Sequence, residues 1–214
     1  MNYPKYVIID NEKYKINTDF RVAIECNEIA EDSSIGDVER ALAIIYKLFG
    51  DKGLEAKKHH NQLLEYALKY FRCGKEEIKN KKNKKPDMDF IEDMDYIEAS
   101  FQSDYGMSLE NEEMHFWKFT KLLNGLSNSE IGNCCILNRI RNVRNLDPKK
   151  IKDVKTRNEI IELQKEIALK KYQKKEGPTK EQKERADELY KKLGLRREWY
   201  CGICRVSNYW YWCR

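Results

Sequence analysis

The segment from Asp87 to Leu126 constrains the fold most strongly, because it predicts two amphipathic helices joined by a break at Tyr105-Gly106-Met107. Apolar residues recur at three- and four-residue spacing before the break, and a glycine suits the left-handed position that ends many helices. After the break, an acidic stretch precedes the dense cluster His115-Phe116-Trp117-Lys118-Phe119. A helix with so many large aromatic side chains must bury one face, so this segment predicts the packed centre of a helical protein.

The rest of the chain also favours helices, with one β-hairpin at its start. Alternating β-branched and aromatic residues in Tyr6–Ile9 and Tyr14–Asn17 flank a polar turn, Asp10–Lys13. The 214 residues include only 4 Pro and 10 Gly, which favours helices over a turn-rich β fold. The sequence therefore predicts a mainly α fold: a helical bundle with a short N-terminal β-hairpin.

Capping residues predict where the helices begin. The predicted starts are Thr18-Asp19, Ser34 with Asp37, Asp87 and Asp89, Ser108 or Asn111, the capping box Ser127–Glu130, and Asp147-Pro148. The last start predicts a long charged helix with few apolar positions, which either projects from the body or pairs with another chain. We therefore expect a hairpin and helical body over 1–147, a long charged helix over 148–177, and a C-terminal helix with an aromatic, Cys-rich tail over 178–214.

Positive charge is concentrated in the C-terminal part of the chain. Residues 149–214 hold 19 Lys and Arg against 10 Asp and Glu, whereas residues 1–148 hold 22 against 26. This asymmetry suggests self-association, an acidic partner or loose nucleic-acid contact, although a solvated helix surface explains it equally simply. Arg139, Arg141 and Arg144 lack any nucleic-acid-binding fingerprint around them. In the alternative interpretation, Arg139 and Arg141 pair with carboxylates of the body.

The residue types that carry catalysis or bind metals do not form a recognisable pattern. Cys201-x-x-Cys204 with Cys213 supplies only part of the tetrahedral ligand set of a structural zinc site. The acidic run Glu92–Glu98 is expected on a solvated face, because Phe90, Met94, Ile97 and Phe101 take the buried one. His115 is expected in the core or at its boundary. We therefore expect a non-enzymatic protein with reduced thiols, no cofactor and no metal.

Two further features bear on the compartment. No apolar run approaches the ~18 residues of a transmembrane helix. The first fifteen residues lack the apolar stretch of a signal peptide. We therefore expect a protein that does not enter a membrane and that stays in the cytoplasm.

The central segment resembles the bacteriophage gene-product-fifteen family. The resemblance is carried by D-F-x-x-D-x-x-Y-I-x-A-S-F from Asp89 to Phe101, by Tyr105-Gly106 and by H-F-W-K-F from His115 to Phe119. Weaker similarity extends from about Tyr6 to about Leu169, and Phe116 stands where a second tryptophan is expected. The fingerprint residues are Phe90, Tyr96, Phe101, Tyr105, Gly106, His115, Phe116, Trp117 and Phe119.

The resemblance implies a small tail protein of long-tailed phages and prophages. Proteins encoded between the major tail protein and the tape-measure protein typically act as tail-assembly chaperones, so the implied partner is the tape-measure protein, in the host bacterial cytoplasm. Self-association and contacts with other tail proteins are also expected. The alternatives are a structural tail component retained in the virion and a basic nucleic-acid-binding accessory protein. The residues expected to contact the partner lie in the C-terminal segment: Leu189, Leu193, Trp199, Tyr200, Trp210 and Trp212.

Overall fold

The computed structural model describes residues 3–76, 86–128 and 134–172, together with 184, 185 and 188. These ranges contain two strands, β1 (Tyr6–Ile9) and β2 (Glu12–Lys15). They also contain seven α-helices: α1 (Phe20–Glu31), α2 (Asp37–Glu55), α3 (His60–Phe71), α4 (Met94–Tyr105), α5 (Phe116–Gly125), α6 (Ile136–Asn145) and α7 (Val154–Glu166). The mainly α fold with an N-terminal β-hairpin is therefore confirmed.

The hairpin is tighter than the sequence pattern predicted. β1 and β2 pair antiparallel from Ile9↔Glu12 to Tyr6↔Lys15, so the turn has only two residues, Asp10 and Asn11. Both have positive φ, 46° and 65°, as a type I′ turn requires. The prediction of a four-residue turn was wrong because Asp and Asn tolerate this conformation without glycine.

The described residues form two compact units. The first contains residues 3–76, 113–120, 184, 185 and 188, and the second contains residues 86–112, 121–128 and 134–172. The predicted limit at 147 lies inside the second unit, and the predicted limit at 177 lies outside the described residues. The predicted C-terminal helix and tail, 178–214, lie almost entirely outside the described residues.

In the first unit, helices α1, α2 and α3 and the inner face of the hairpin surround an aromatic and aliphatic core. The Asp19 carboxylate accepts a hydrogen bond from Arg21 N at 2.8 Å and caps α1, as the sequence predicted. The largest fully buried side chains of this unit are Tyr14, Ile44, Ile45, Leu48, Leu63, Leu64, Tyr70, Phe71, Phe116 and Phe119.

Helix α2 begins and bends at glycines. Its N-cap is Gly36, whose N–H donates to the Glu39 carboxylate at 2.8 Å. The predicted start at Ser34 was wrong, because Ser34 instead bonds back to Asp32 through its N–H and its hydroxyl. At Gly50 the backbone leaves the helical region, with φ 69° and ψ −164°, and the helix resumes to Glu55. The helix is therefore broken at Gly50 but does not end there.

Helices α4, α5 and α6 begin later than the capping pattern predicted. Asp89 caps a turn before α4, because its Oδ1 accepts from Ile91 N and Glu92 N. Helix α6 begins at Ile136, after Ser127 and Asn128 rather than from them. The acidic stretch around Ser108 and Asn111 likewise lies ahead of α5 rather than in its first turn. Local contacts engage the side chains of Asp89, Ser108 and Asn111, so a capping pattern alone places these boundaries too early.

The predicted long helix after Asp147 is interrupted. Asp147 does cap a start, accepting from Lys149 N at 3.1 Å, but only a 3-10 turn, Pro148–Lys150, follows. Asp153 then caps α7 through Thr156 N at 2.7 Å. Helix α7 does not project, because Gln164 donates to the carbonyls of Val143 and Leu146 at the end of α6.

Candidate functional site

The sequence from Asp89 to Phe101, which we call the first motif, contains one partner of a buried ion pair in the second unit. Asp93 has no exposed side-chain surface, and both of its oxygens accept from the Arg144 guanidinium, at 2.6 and 2.8 Å. Asp93 Oδ2 also accepts from Asp89 N at 2.9 Å. Two parallel hydrogen bonds give an arginine–carboxylate pair both strength and a fixed geometry. The expectation that Glu92–Glu98 forms a solvated face is therefore wrong at Asp93, although Glu92, Asp95 and Glu98 are exposed.

A second arginine extends this pair. Arg141 donates to the Asp87 carboxylate from Nε at 3.2 Å and from Nη2 at 3.1 Å. Asn145 donates to the other Asp87 oxygen at 2.7 Å. The expected pairing of Arg141 with a carboxylate of the body is confirmed. Arg139, for which the same pairing was predicted, is exposed. Arg144 instead forms the second arginine–carboxylate pair.

The same arginine anchors the residues that follow α7. Arg144 Nε donates to the Ile167 carbonyl at 2.7 Å, and the Glu92 carboxylate accepts from Lys170 N and Lys171 N. Leu169, which lies between Ile167 and Lys170 in the sequence, is buried. We call residues 167–171 the terminal anchor. Nothing in the neighbouring sequence predicts this anchor, because its partner Arg144 lies 23 positions away and its partner Glu92 lies 78 and 79 positions away.

The serine of the first motif joins two helices. Ser100 is fully buried, donates its hydroxyl to the Tyr96 carbonyl at 2.6 Å and accepts from Leu137 N at 3.1 Å. It thereby satisfies a backbone N–H in the first turn of α6. At the end of α4, Gly106 adopts the left-handed conformation, with φ 65°, as predicted. Tyr105 donates its hydroxyl to the Leu122 carbonyl at 2.9 Å.

The sequence from His115 to Phe119, which we call the second motif, lies in the first unit and begins at a histidine that caps α5. The His115 carbonyl accepts from Phe119 N, and its Nδ1 accepts from Trp117 N at 3.0 Å. Its Nε2 donates to the Pro4 carbonyl at 3.0 Å. These partners require the neutral imidazole with the proton on Nε2. Burial lowers the pKa of His115, an effect that the Pro4 hydrogen bond partly opposes and that nearby Lys5 reinforces.

The aromatic residues of the second motif pack on α1 and α3. Trp117 is half-buried and donates its indole N–H to the Tyr70 carbonyl at 2.8 Å. Its ring lies over Gly74, where an added Cβ would be 3.1 Å from the ring. Phe119 stacks on Phe20 with ring centroids 4.5 Å apart. Polar groups of this motif are therefore used to hold the helix in place.

A comparison with family models places these motifs in a known family. The model described as Bacteriophage Gp15 protein matches residues 3–169. The chain belongs to this family. The match includes both motifs and ends within the terminal anchor. Neither curated proteins nor solved structures gave a significant match.

Apart from Gly106, which is exposed, the Gp15 fingerprint residues divide into buried and half-buried positions. The buried ones are Phe90, Phe101, Phe116 and Phe119, and the half-buried ones are Tyr96, Tyr105, His115 and Trp117. These residues are recognisable in the sequence, whereas the pairing of Asp93 with Arg144 is not. Only the tertiary fold shows that two charged residues 51 positions apart in sequence are partners.

The Gp15-matched region contains one further buried polar cluster. The Tyr14 hydroxyl lies 2.6 Å from His59 Nδ1 and donates to the Glu12 carboxylate at 2.9 Å. His59 Nε2 lies 3.3 Å from the carboxylate of Asp10. Burial, with help from Glu12, raises the pKa of Tyr14 to about 12. Tyr14 and His59 are 0% and 1% exposed, so this cluster ties the hairpin turn to the residues before α3 and offers little access to a substrate.

The surface of the first unit offers two features outside the Gp15 motifs. One is an open groove of about 870 Å³ whose lining includes Lys15, Asn17, Tyr46, Gly50 and Glu113. The other is the outer face of the hairpin, where Tyr6 and Ile8 are exposed. The groove has a mixed polar lining without a cluster of convergent reactive groups. On the hairpin face, the apolar side chains of β1 lie opposite Lys13 and Lys15 of β2, and the Lys13 ammonium lies 3.8 Å from the centre of the Tyr6 ring.

Several predicted site residues fall outside the described part of the Gp15-family chain. These are the candidate zinc ligands Cys201, Cys204 and Cys213 and the predicted partner contacts Leu189, Leu193, Trp199, Tyr200, Trp210 and Trp212. The four cysteines that the structure describes, Cys26, Cys73, Cys134 and Cys135, form no disulfide. Burial raises the pKa of the Cys26 thiol, which makes it unreactive. Among the described residues, no helix is both long enough and apolar enough to span a bilayer.

Proposed function

We propose that this protein is a non-enzymatic tail-assembly chaperone that binds the tape-measure protein during long-tail morphogenesis in the host bacterial cytoplasm. Membership of the Gp15 family supports a phage role. The observation that carries the proposal is that the polar side chains of the two motifs hold the fold together. Their carboxylate, hydroxyl and imidazole groups are committed to internal contacts, which favours a binding protein over an enzyme.

The committed groups are of the types that catalysis uses. Asp93 pairs with Arg144, Ser100 bonds to Leu137 N, and His115 caps α5. A general base or nucleophile must instead reach a substrate from a cleft. Each of these side chains is occupied by a protein partner, so the motifs build a scaffold.

The terminal anchor supports a division between scaffold and client-binding segment. The contacts of Ile167, Lys170 and Lys171 fasten the end of the second unit, and the family match ends at residue 169. Residues 178–214 follow and carry three of the four tryptophans. Apolar segments of this kind mark interaction sites, and the surrounding lysines and arginines suit an acidic helical client. We therefore assign client binding to residues 178–214.

The nucleic-acid alternative loses support from the arginine pairs. Arg141 and Arg144 are 13% and 10% exposed at their side chains and each is paired with an aspartate. A phosphate-binding arginine must present its guanidinium to solvent. Only Arg139 of the three remains on the surface.

Co-expression with the tape-measure protein of the same phage or prophage tests the proposal. The tagged full-length chain should recover the tape-measure protein in a pull-down, and truncation after Gly177 should lower that recovery. Replacement of Glu162 by Gln, in the exposed Lys165–Glu162 pair, is the matched control and should leave recovery unchanged.

Two results would contradict the proposal. Equal recovery by the truncated chain would remove client binding from residues 178–214. Stoichiometric presence of the protein in purified virions, without any complex with the tape-measure protein before assembly, would instead indicate a structural tail component.

A further inference from the structure

The outer edge of β1 carries two large apolar residues. The side chains of Tyr6 and Ile8 are 47% and 68% exposed, whereas those of Val7 and Ile9 are buried. In an antiparallel pair, residues that exchange hydrogen bonds alternate with residues whose N–H and C=O groups point away from the partner strand. Because Ile9 flanks the two-residue turn, it is hydrogen-bonded to its partner in β2, and so is Val7. Tyr6 and Ile8 therefore direct their backbone groups to the open edge.

These backbone groups have no partner within the part of the chain that the structure describes. Neither the N–H nor the C=O of Tyr6 or Ile8 is hydrogen-bonded there. Two residues before Tyr6, the Pro4 carbonyl is already occupied, because it accepts a hydrogen bond from His115. The open edge is therefore the four-residue strand Tyr6–Ile9, which we call the β1 edge.

The edge of β2 is protected in a way that the β1 edge is not. The residues of β2 whose backbone groups point outward are Lys13 and Lys15, and both are exposed. Lys52 also donates to the Lys13 carbonyl at 2.8 Å. Lysines on an edge strand prevent the addition of another strand. Only the β1 edge of this hairpin can therefore accept one.

We propose that the β1 edge pairs antiparallel with the β1 edge of a second copy, around a two-fold axis at Val7. In this register Tyr6 of each copy lies opposite Ile8 of the other. The outward N–H and C=O groups of both residues then form four hydrogen bonds, with opposed Cα atoms about 5.5 Å apart. A two-fold interface uses the same surface on both copies, so each apolar side chain meets an apolar side chain.

The charges of the hairpin fit a second copy. In this register the exposed Asp10 of one copy lies beside the exposed Lys5 of the other, so opposite charges meet at both ends of the pair. The lysines of the two β2 strands are separated by three strand spacings, about 14 Å. This distance exceeds the Debye length of about 8 Å at physiological salt, so their repulsion is screened.

The size of the β1 edge predicts a weak interface. Four residues on each side bury far less than the roughly 1,200–2,000 Å² of a stable complex. Copies held side by side on one client would pair more strongly, because binding to a shared partner raises their effective concentration. The pairing itself does not depend on the proposed chaperone function.

Analytical ultracentrifugation of the full-length chain alone, over a concentration series, tests the pairing. The unmodified protein should show a reversible monomer–dimer equilibrium at high concentration, and Ile8→Lys should remain monomeric. The matched control is Ile91→Lys, which changes an isoleucine of the second unit with 54% exposure and should dimerise normally. Equal melting curves for all three chains would show that the substitutions do not act through unfolding.

Disulfide trapping tests the register. When Tyr6→Cys and Ile8→Cys chains are mixed under mild oxidation, mass spectrometry should find a disulfide between position 6 of one chain and position 8 of the other. Identical positions lie about 9 Å apart in this register, beyond the ~7 Å that a disulfide spans. They should therefore be linked much less.

Three outcomes would overturn the pairing. One is a monomer at every concentration, and another is a dimer that Ile8→Lys leaves intact. The third is a monomer whose Ile8→Lys form loses another tail protein in pull-downs, since the edge would then receive a strand from that protein. Failure of tape-measure recovery alone, with the dimer intact, would contradict only the proposed function.

Discussion

At the scale of single residues, Asp93 and Arg144 form the contact whose loss should lower the free energy of unfolding most. Asp93→Asn keeps the shape of the side chain but leaves the buried Arg144 guanidinium without its counter-charge. We expect the free energy of unfolding in urea to fall by about 3–5 kcal/mol, as is usual for a broken buried pair. Glu162→Gln, in the exposed pair with Lys165, should change it by less than ~0.5 kcal/mol.

A double substitution separates the ion pair from the packing around it. Asp93→Leu with Arg144→Met removes both charges, so the chain should recover much of the stability that Asp93→Asn loses. If Asp93→Asn proved no more costly than Glu162→Gln, the pair would contribute little to the stability of the second unit.

His115 makes stability depend on pH. Its pKa is lowered in the folded state, chiefly by burial, so the unfolded chain binds its proton more readily than the folded chain does. Its contribution is therefore fully present above the unfolded pKa of about 6.5 and is lost as pH falls below that value. Protonation of Nδ1 would also remove the cap on Trp117 N.

Replacement by a residue that caps but does not titrate isolates this effect. Asn at an N-cap accepts the same kind of hydrogen bond. The stability of His115→Asn should therefore fall less steeply than that of the unmodified protein as the pH is lowered from neutral. Parallel curves of unfolding free energy against pH would show that His115 does not titrate as described.

At the scale of secondary-structure elements, two glycines end or break helices for different reasons. Gly50 has φ 69° and ψ −164°, a region that essentially only glycine enters, although a Cβ there would meet nothing within 4 Å. Gly50→Ala should therefore lower the free energy of unfolding by about 1–3 kcal/mol through backbone strain alone. Gly106 has left-handed φ and ψ of 65° and 22°, which Asn tolerates.

Gly106→Asn is therefore the comparison that shows whether backbone conformation decides the loss of stability when a glycine is replaced. We expect it to change the melting temperature much less than Gly50→Ala does. A larger effect of Gly106→Asn would mean that contacts, rather than backbone conformation, fix the two positions.

At the scale of the whole molecule, the terminal anchor sets how much of the chain the fold needs. Truncation after Gly177 keeps the contacts of Ile167, Lys170 and Lys171, so the remaining chain should melt within a few degrees of the full-length protein. Truncation after Glu166 removes these contacts and the buried Leu169. Loss of a buried leucine costs about 2–5 kcal/mol, so the shorter chain should melt well below the longer one. Equal melting of the two truncated chains would show that the anchor does not stabilise the second unit.

The sequence by itself determined the class of the fold and the identity of its motifs. Local signals placed the start of α1 and the break at Gly106 because each depends on neighbouring residues. The same local rules misplaced the starts of α2 and α4, since capping residues also close turns that precede a helix.

Only the tertiary structure decided what the polar residues of the motifs do. Asp93 looked solvated because its own helix offered no partner, and Arg144, 51 positions later, supplies the charge that allows its burial. His115 became a helix cap with a lowered pKa only through contacts with Pro4 and α5. The open edge of β1 likewise depends on register, since a shift by one residue would bury Tyr6 and Ile8 and expose Val7 and Ile9.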